Sequence, residues 1–109
     1  MPRYLVQASY TSGAVAAFIN NPQDRVAGLK TLIEKLGGKL ESLDFSLGDH
    51  DVVALFSGPD DTIAAAVALA VNAPGHLRGY KTTRLLSSQE FLAAQQKAHG
   101  ASYQAPTRA

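Results

Sequence analysis

The chain has no cysteine and no tryptophan, and one methionine in 109 residues. Without cysteine there is no disulfide, no zinc–thiolate centre and no thiol chemistry. Neither sign of charge dominates: ten Lys and Arg stand against nine Asp and Glu, and the basic residues are scattered from Arg3 to Arg108. No basic stripe is interleaved with aromatics, so nucleic acid is not an expected partner. Long hydrophobic runs are missing too. The longest, Ile63 to Val71, is too short to span a bilayer. The opening Met1-Pro2-Arg3-Tyr4-Leu5-Val6-Gln7 turns polar too soon for a signal-peptide core. A cytoplasmic, soluble protein that does not engage membranes is the expectation. No glycine-rich phosphate loop is present, because Gly37-Gly38 ends a helical pattern where a phosphate cradle would open one. No Ser-His-Asp order is recognisable.

What is present is an ordinary soluble composition, 46% hydrophobic and 17% charged, at a length that allows one domain. Tyr4 to Tyr10 alternates and is rich in β-formers, so it reads as a strand with Tyr4, Val6, Ala8 and Tyr10 on one face. Thr11-Ser12-Gly13 leaves the strand as a cap, and a short helical piece from Ala14 is broken at Asn20-Asn21-Pro22. A second helix is expected from Pro22 to Leu36, with Asp24 in its first turn and Val26, Leu29, Ile33 and Leu36 as the buried stripe. A strand from Lys39 to Leu47, a tight turn at Gly48-Asp49-His50 using positive φ at Gly48, and an apolar strand from Asp51 to Ser57 follow. Gly58-Pro59-Asp60-Asp61 opens an alanine-rich helix that ends at Pro74-Gly75. His76 to Leu86 reads as the last strand, with Arg78, Tyr80, Thr82 and Arg84 on one face and Leu77, Gly79, Lys81, Thr83 and Leu85 on the other. Ser87-x-x-Glu90 is a capping box for a helix to about His99.

This order, β-α-β-β-α-β with a terminal helix, predicts an α+β fold: a ferredoxin-like, four-stranded antiparallel sheet, strand order 4-1-3-2, helices on one face. Residues 1–99 form the expected domain and 100–109 a flexible tail. The other sheet face would carry apolar side chains into water unless covered. A homodimer or higher oligomer through that face is the simplest remedy.

The densest titratable run is Asp49-His50-Asp51. It looks like a metal site, but alternation sends Asp49 and Asp51 one way and His50 the other. No metal and no cofactor are expected. Asp51 opens an apolar strand and needs a partner, for which Arg84 is the candidate, roughly 10 Å away across the intervening strand and bridged over Gln7 or Tyr10. The pair reads as an ion pair fixing the sheet or as the polar floor of a pocket, with Arg84 holding an anionic or carbonyl group. His50 can act as acid or base near neutral pH. Tyr4, Tyr10 and Tyr80 serve core and interface packing or line a pocket. The hypothetical ligand set is therefore Gln7, Tyr10, His50, Asp51, Tyr80 and Arg84.

Several segments resemble GYD-domain proteins. They are Pro2-Arg3-Tyr4-Leu5-Val6-Gln7-Ala8-Ser9-Tyr10-Thr11, Leu47-Gly48-Asp49-His50-Asp51-Val52-Val53, Pro59-Asp60-Asp61, and Thr82-Thr83-Arg84 before Gln89-Glu90-Phe91. The likeness covers about residues 2 to 95 in order, with His50 where the family usually has tyrosine. It implies a ferredoxin-like domain of the dimeric α/β-barrel type and leaves activity open. The first functional reading is a small oligomeric ligand-binding or assembly domain. The alternative is a cofactor-independent enzyme, monooxygenase- or isomerase-like, acting on a small aromatic or carbonyl compound with His50 or Asp51 as base. That alternative rests on analogy of fold alone. A regulatory module reporting ligand occupancy through assembly is a third reading. An open cleft where Tyr10, His50 and Arg84 converge would favour the enzyme; a closed centre packed with Phe45, Leu55 and Phe56 would sink it.

Overall fold

The computed structural model describes residues 1–107. The elements run β1 (Arg3–Tyr10), α1 (Ser12–Asn20), α2 (Val26–Lys35), β2 (Lys39–Phe45), β3 (Val52–Ser57), α3 (Asp61–Asn72), β4 (Leu77–Leu85) and α4 (Ser88–Gly100). The sheet is antiparallel in the order β2-β3-β1-β4, the expected 4-1-3-2 read from the other edge. Residues 101–107 hold no helix or strand, and the last two residues of the expected tail lie outside the described ones. No helix among the described residues is long and apolar enough to cross a membrane.

Alternation along β1 aims Tyr4, Val6 and Ala8 at the helices, where Ala54 and Phe56 of β3, Ile33 of α2 and Ala64 and Val67 of α3 complete the core. Tyr4, Phe56, Ile33 and Val67 are almost wholly enclosed. The opposite face carries Leu5, Val53, Leu55 and Leu85, all only half-buried. The terminal helix α4 forms as its capping box dictates, with Ser87 Oγ accepting from the Glu90 amide at 3.1 Å and the Glu90 carboxylate accepting from the Ser87 amide at 3.0 Å. Yet it buries nothing: Phe91 and Leu92 stay 58% and 53% exposed. A radius of gyration of 18.1 Å, against about 13 Å for a compact chain of this length, reflects α4 together with the exposed segment 101–107 that follows it.

Local chemistry moved several expected boundaries. Helix α2 starts at Val26, not Pro22, because Asp24 turns back to accept the Val26 amide at 2.9 Å; its carboxylate therefore precedes the first turn. The strand expected to reach Leu47 ends at Phe45, and Asp51 lies outside β3, so the connection is a six-residue loop over 46–51 rather than a tight turn. Gly48 does not use positive φ; only Gly37 and Gly75 do among the described residues. A bulge between Ser9 and Tyr10 pairs Ser9 with Gly79 and Tyr10 with Leu77, leaving Arg78 unpaired in the ladder. Arg78 Nε donates to the Tyr10 carbonyl at 3.0 Å. The slip brings Leu77 to the helix side, not the face shared with Gly79 and Lys81 that simple alternation assigned it.

Candidate functional site

The space between sheet and helices is not filled. A cavity of about 270 Å³ lies under α2 and α3, floored by Val6, Ala8, Val52, Ala54 and Phe56. Its walls are Gly28, Leu29 and Leu32 of α2, Val67, Ala70 and Val71 of α3, with Leu43, Leu77 and Tyr80 from the outer strands. The room comes from side-chain size: Ala8, Ala54, Gly28 and Ala70 stand where larger residues would close it. Protein interiors are otherwise packed nearly as tightly as organic crystals, so an opening of this size in a small domain is a structural feature in its own right.

Four polar residues border it: Tyr10, Arg25, His76 and Tyr80. Tyr10 and His76 close one end because β1 finishes where β4 begins, the Thr11 amide donating to the His76 carbonyl at 2.9 Å. Their rings lie nearly parallel with centroids 6.5 Å apart, while Phe18 of α1 meets Tyr10 edge-on at 4.9 Å. Arg25 caps α2 at the same end and donates from Nη1 to Gln23 Oε1 at 3.0 Å. Burial pushes the Tyr10 phenol pKa up, the Arg25 guanidinium pulls it down, and Asp51 adds to the rise.

Tyr80 stands beside Ala8 in the register, midway along the floor. Its hydroxyl is buried and, among the described residues, makes no hydrogen bond of acceptable geometry. Burial raises its pKa, and the neighbouring Thr82 hydroxyl offsets this without meeting the distance and angle of a bond. Buried polar groups are nearly always satisfied, so this hydroxyl, shut away from the open space, is an exception in the fold.

The residues expected to converge divide into two ends of β1. Tyr10 and Tyr80 line the cavity, and Asp51 sits next to it: its Oδ2 accepts the Tyr10 amide at 2.9 Å, while its own amide donates to the Ala8 carbonyl. His50 is half-buried in the loop and does not line the cavity; its carbonyl accepts from Ser46 Oγ. Gln7 has the parity of Leu5 and faces away from the helices. Arg84 is opposite Tyr4, six residues and about 20 Å along β1 from Tyr10. It pairs there with Glu90 at 3.2 Å and Asp61 at 3.8 Å. The expected Asp51–Arg84 pair is thus not formed. The antiparallel register separates them, and the nearest guanidinium to Asp51 is Arg78, at 4.0 Å. Nor do Tyr10, His50 and Arg84 share a cleft. The packed centre that would have excluded one is absent too, since Phe45 is 57% exposed and Leu55 points to the other face. No three His, Asp or Glu among the described residues gather to hold a metal.

The sequence pattern of the GYD domain matches residues 4–94. The chain belongs to the GYD domain family. In fold, this GYD domain is similar to the crystal structure of an uncharacterized NIPSNAP domain protein from Burkholderia xenovorans, with a TM-score of 0.50 at 18% identity over 81% of this chain and 95% of that one. At such identity the likeness speaks of fold alone. No curated protein matches the chain.

None of Arg25, Gly28, His76 and Leu77 belongs to the ligand set expected from the sequence, where His76 reads as a structural residue at a strand entry. His76 could have been found from topology, because the strand order alone places the start of β4 beside the end of β1. Leu77 could not, since only the bulge brings it inward.

Proposed function

We propose that this GYD domain is a small-molecule-binding module that assembles as a homodimer. The observation that carries the binding is the apolar cavity between sheet and helices, bordered by Tyr10, Arg25, His76 and Tyr80. Ligand sites are typically apolar clefts with a few polar groups that orient the guest, and this cavity has that make-up. At about 270 Å³ it lies just under the roughly 300 Å³ lower end of drug-sized sites, which suits a compact metabolite. One imidazole, His76, borders it with no nucleophile among the lining side chains, so binding rather than turnover is the reading it supports.

Assembly has separate support. Leu5, Val53, Leu55 and Leu85 form a half-exposed apolar strip on the helix-free sheet face, flanked in the register by Arg3, Gln7, Asp44 and Lys81, and α4 presents Phe91 and Leu92 to solvent. A second copy of the same face would cover this surface. The reading includes a cytoplasmic setting, which cell fractionation checks.

The test of binding is an amide-resolved NMR titration with toluene and small aromatic probes. Shifts confined to Gly28, Ala70, His76 and Tyr80, abolished when Ala70→Trp plugs the opening, are the expected result. Probes that shift no cavity amide would refute it. Light scattering tests assembly: a dimer or larger is expected, and a stable monomer at micromolar concentration would sink that part.

A further inference from the structure

What the cavity walls withhold narrows what it takes. Resting on the reading of the cavity as a binding site, we propose that its ligand is a neutral hydrophobic molecule of about ten non-hydrogen atoms, admitted between α2 and α3 at Gly28 and Ala70.

The floor offers no free polar group. Val6, Ala8, Val52, Ala54 and Phe56 present apolar side chains. They lie on β1 and β3, the two inner strands, whose main chain is committed to ladders on both sides. The Tyr80 hydroxyl is shut away from the open space. Across from the floor, Leu29, Leu32, Val67 and Val71 come from helices whose backbone groups bond internally. A charged group moved in among these residues gives up its water and receives nothing in exchange. A hydrocarbon surface loses nothing there and sheds its own contact with water.

The charged side chains do not alter this. Arg25 stands at one end of the cavity, half-buried and bonded to Gln23. Beside it is Asp24, whose carboxylate caps α2 on the Val26 amide. An anion drawn to Arg25 would sit at the solvent edge next to that carboxylate, and exposed ion pairs contribute little. A cation would meet Arg25 with no acidic side chain among the lining residues to offset it.

Volume and access set the size and the route. An apolar cavity of about 150 Å³ holds benzene. In proportion, about 270 Å³ holds about ten non-hydrogen atoms. The rings of Phe56 and Tyr80 on the sheet side suit an aromatic guest. Gly28 of α2 and Ala70 of α3 both line the cavity and are both exposed, so the space reaches solvent between the two helices. An added Cβ at Gly28 would meet nothing within 4 Å, which leaves the passage clear.

The probes are 4-nitrotoluene, 4-methylbenzoate and 4-methylbenzamidine, which share one shape and at neutral pH are uncharged, anionic and cationic; p-cymene is the hydrocarbon of the same size. Each is titrated against the full chain by amide NMR. The two uncharged probes are expected to shift the Gly28 and Ala70 amides and to bind at least tenfold tighter than either ion. Gly28→Phe should abolish that binding. Ala65→Trp, at an exposed position of α3 away from the cavity, should leave it unchanged. Both variants are checked for an unaltered spectrum elsewhere. If either ion matches 4-nitrotoluene, the ligand class is wrong while the cavity stands as a binding site. If Gly28→Phe binds like the parent, the entrance is not between the helices. If no probe shifts the cavity amides, the binding-site reading falls and takes this inference with it.

Discussion

Replacing either Tyr4 or Tyr80 by phenylalanine removes the same atom from the same side of the sheet, and the two changes should have opposite effects on stability. Tyr4 is 1% exposed, and its hydroxyl donates to Asp61 Oδ1 at 2.7 Å. Hydrogen bonds to charged groups contribute about 1.5–3 kcal/mol. The Asp61 side chain is 79% exposed and close to Arg84, so it can be solvated once abandoned, which puts the expected loss for Tyr4→Phe near the low end, about 1–1.5 kcal/mol. Tyr80→Phe removes a buried hydroxyl that bonds nothing. An unmet buried donor costs about 1–3 kcal/mol, lessened here by any water that enters the cavity. The variant should therefore match the parent or exceed it by up to about 1 kcal/mol. Urea denaturation at one fixed protein concentration measures both, because an oligomer's stability depends on concentration. The midpoints should move apart with the slope unchanged. If Tyr80→Phe loses as much as Tyr4→Phe, the Tyr80 hydroxyl has a partner in solution and the reasoning fails.

Titration of Tyr4 gives a pH dependence. Burial first, and then its bond to Asp61, push its pKa from 10 up to about 12. The fold thus favours the protonated phenol; that stabilisation is complete below pH 10 and is lost as pH rises from 10 to 12. Thermal melts should fall more steeply over this window in the parent than in Tyr4→Phe. At Gly38 an added Cβ would lie 2.5 Å from the Ser57 carbonyl and 3.0 Å from Ile33 Cγ2, so Gly38→Ala should cost about 1–3 kcal/mol. Gly48→Ala meets nothing within 4 Å and needs no positive φ, so chemical denaturation should show it neutral or stabilised by up to about 1 kcal/mol. Asp51→Ala should cost about 1–2 kcal/mol, since the Tyr10 amide loses a charged acceptor. A double-mutant cycle with Arg84→Met should show coupling below about 0.5 kcal/mol, and a larger value would mean the two charges meet after all.

Much of this architecture is local information. The period-two pattern of Tyr4 to Tyr10, the carboxylate of Asp60 accepting the Thr62 amide at 3.0 Å, the Ser87–Glu90 box and Gly37 at φ +87° are each decided within a few residues, so they were legible in the chain. Strand order followed from them through general rules of connection. An apolar β3 likewise announced a central strand.

Tertiary structure decided the site. Whether Asp51 meets Arg84 depends on register, and register depends on how four strands stack; the answer set them at opposite ends of β1. The bulge at Tyr10 turned Leu77 inward and left Arg78 to hold a carbonyl, and no period could have disclosed it. The cavity itself is a deficit of volume shared by Ala8, Ala54, Gly28 and Ala70, residues from four separate elements. Each is unremarkable in its own segment. Only their meeting under α2 and α3 leaves a space, because volume is summed in three dimensions while propensity is read along one.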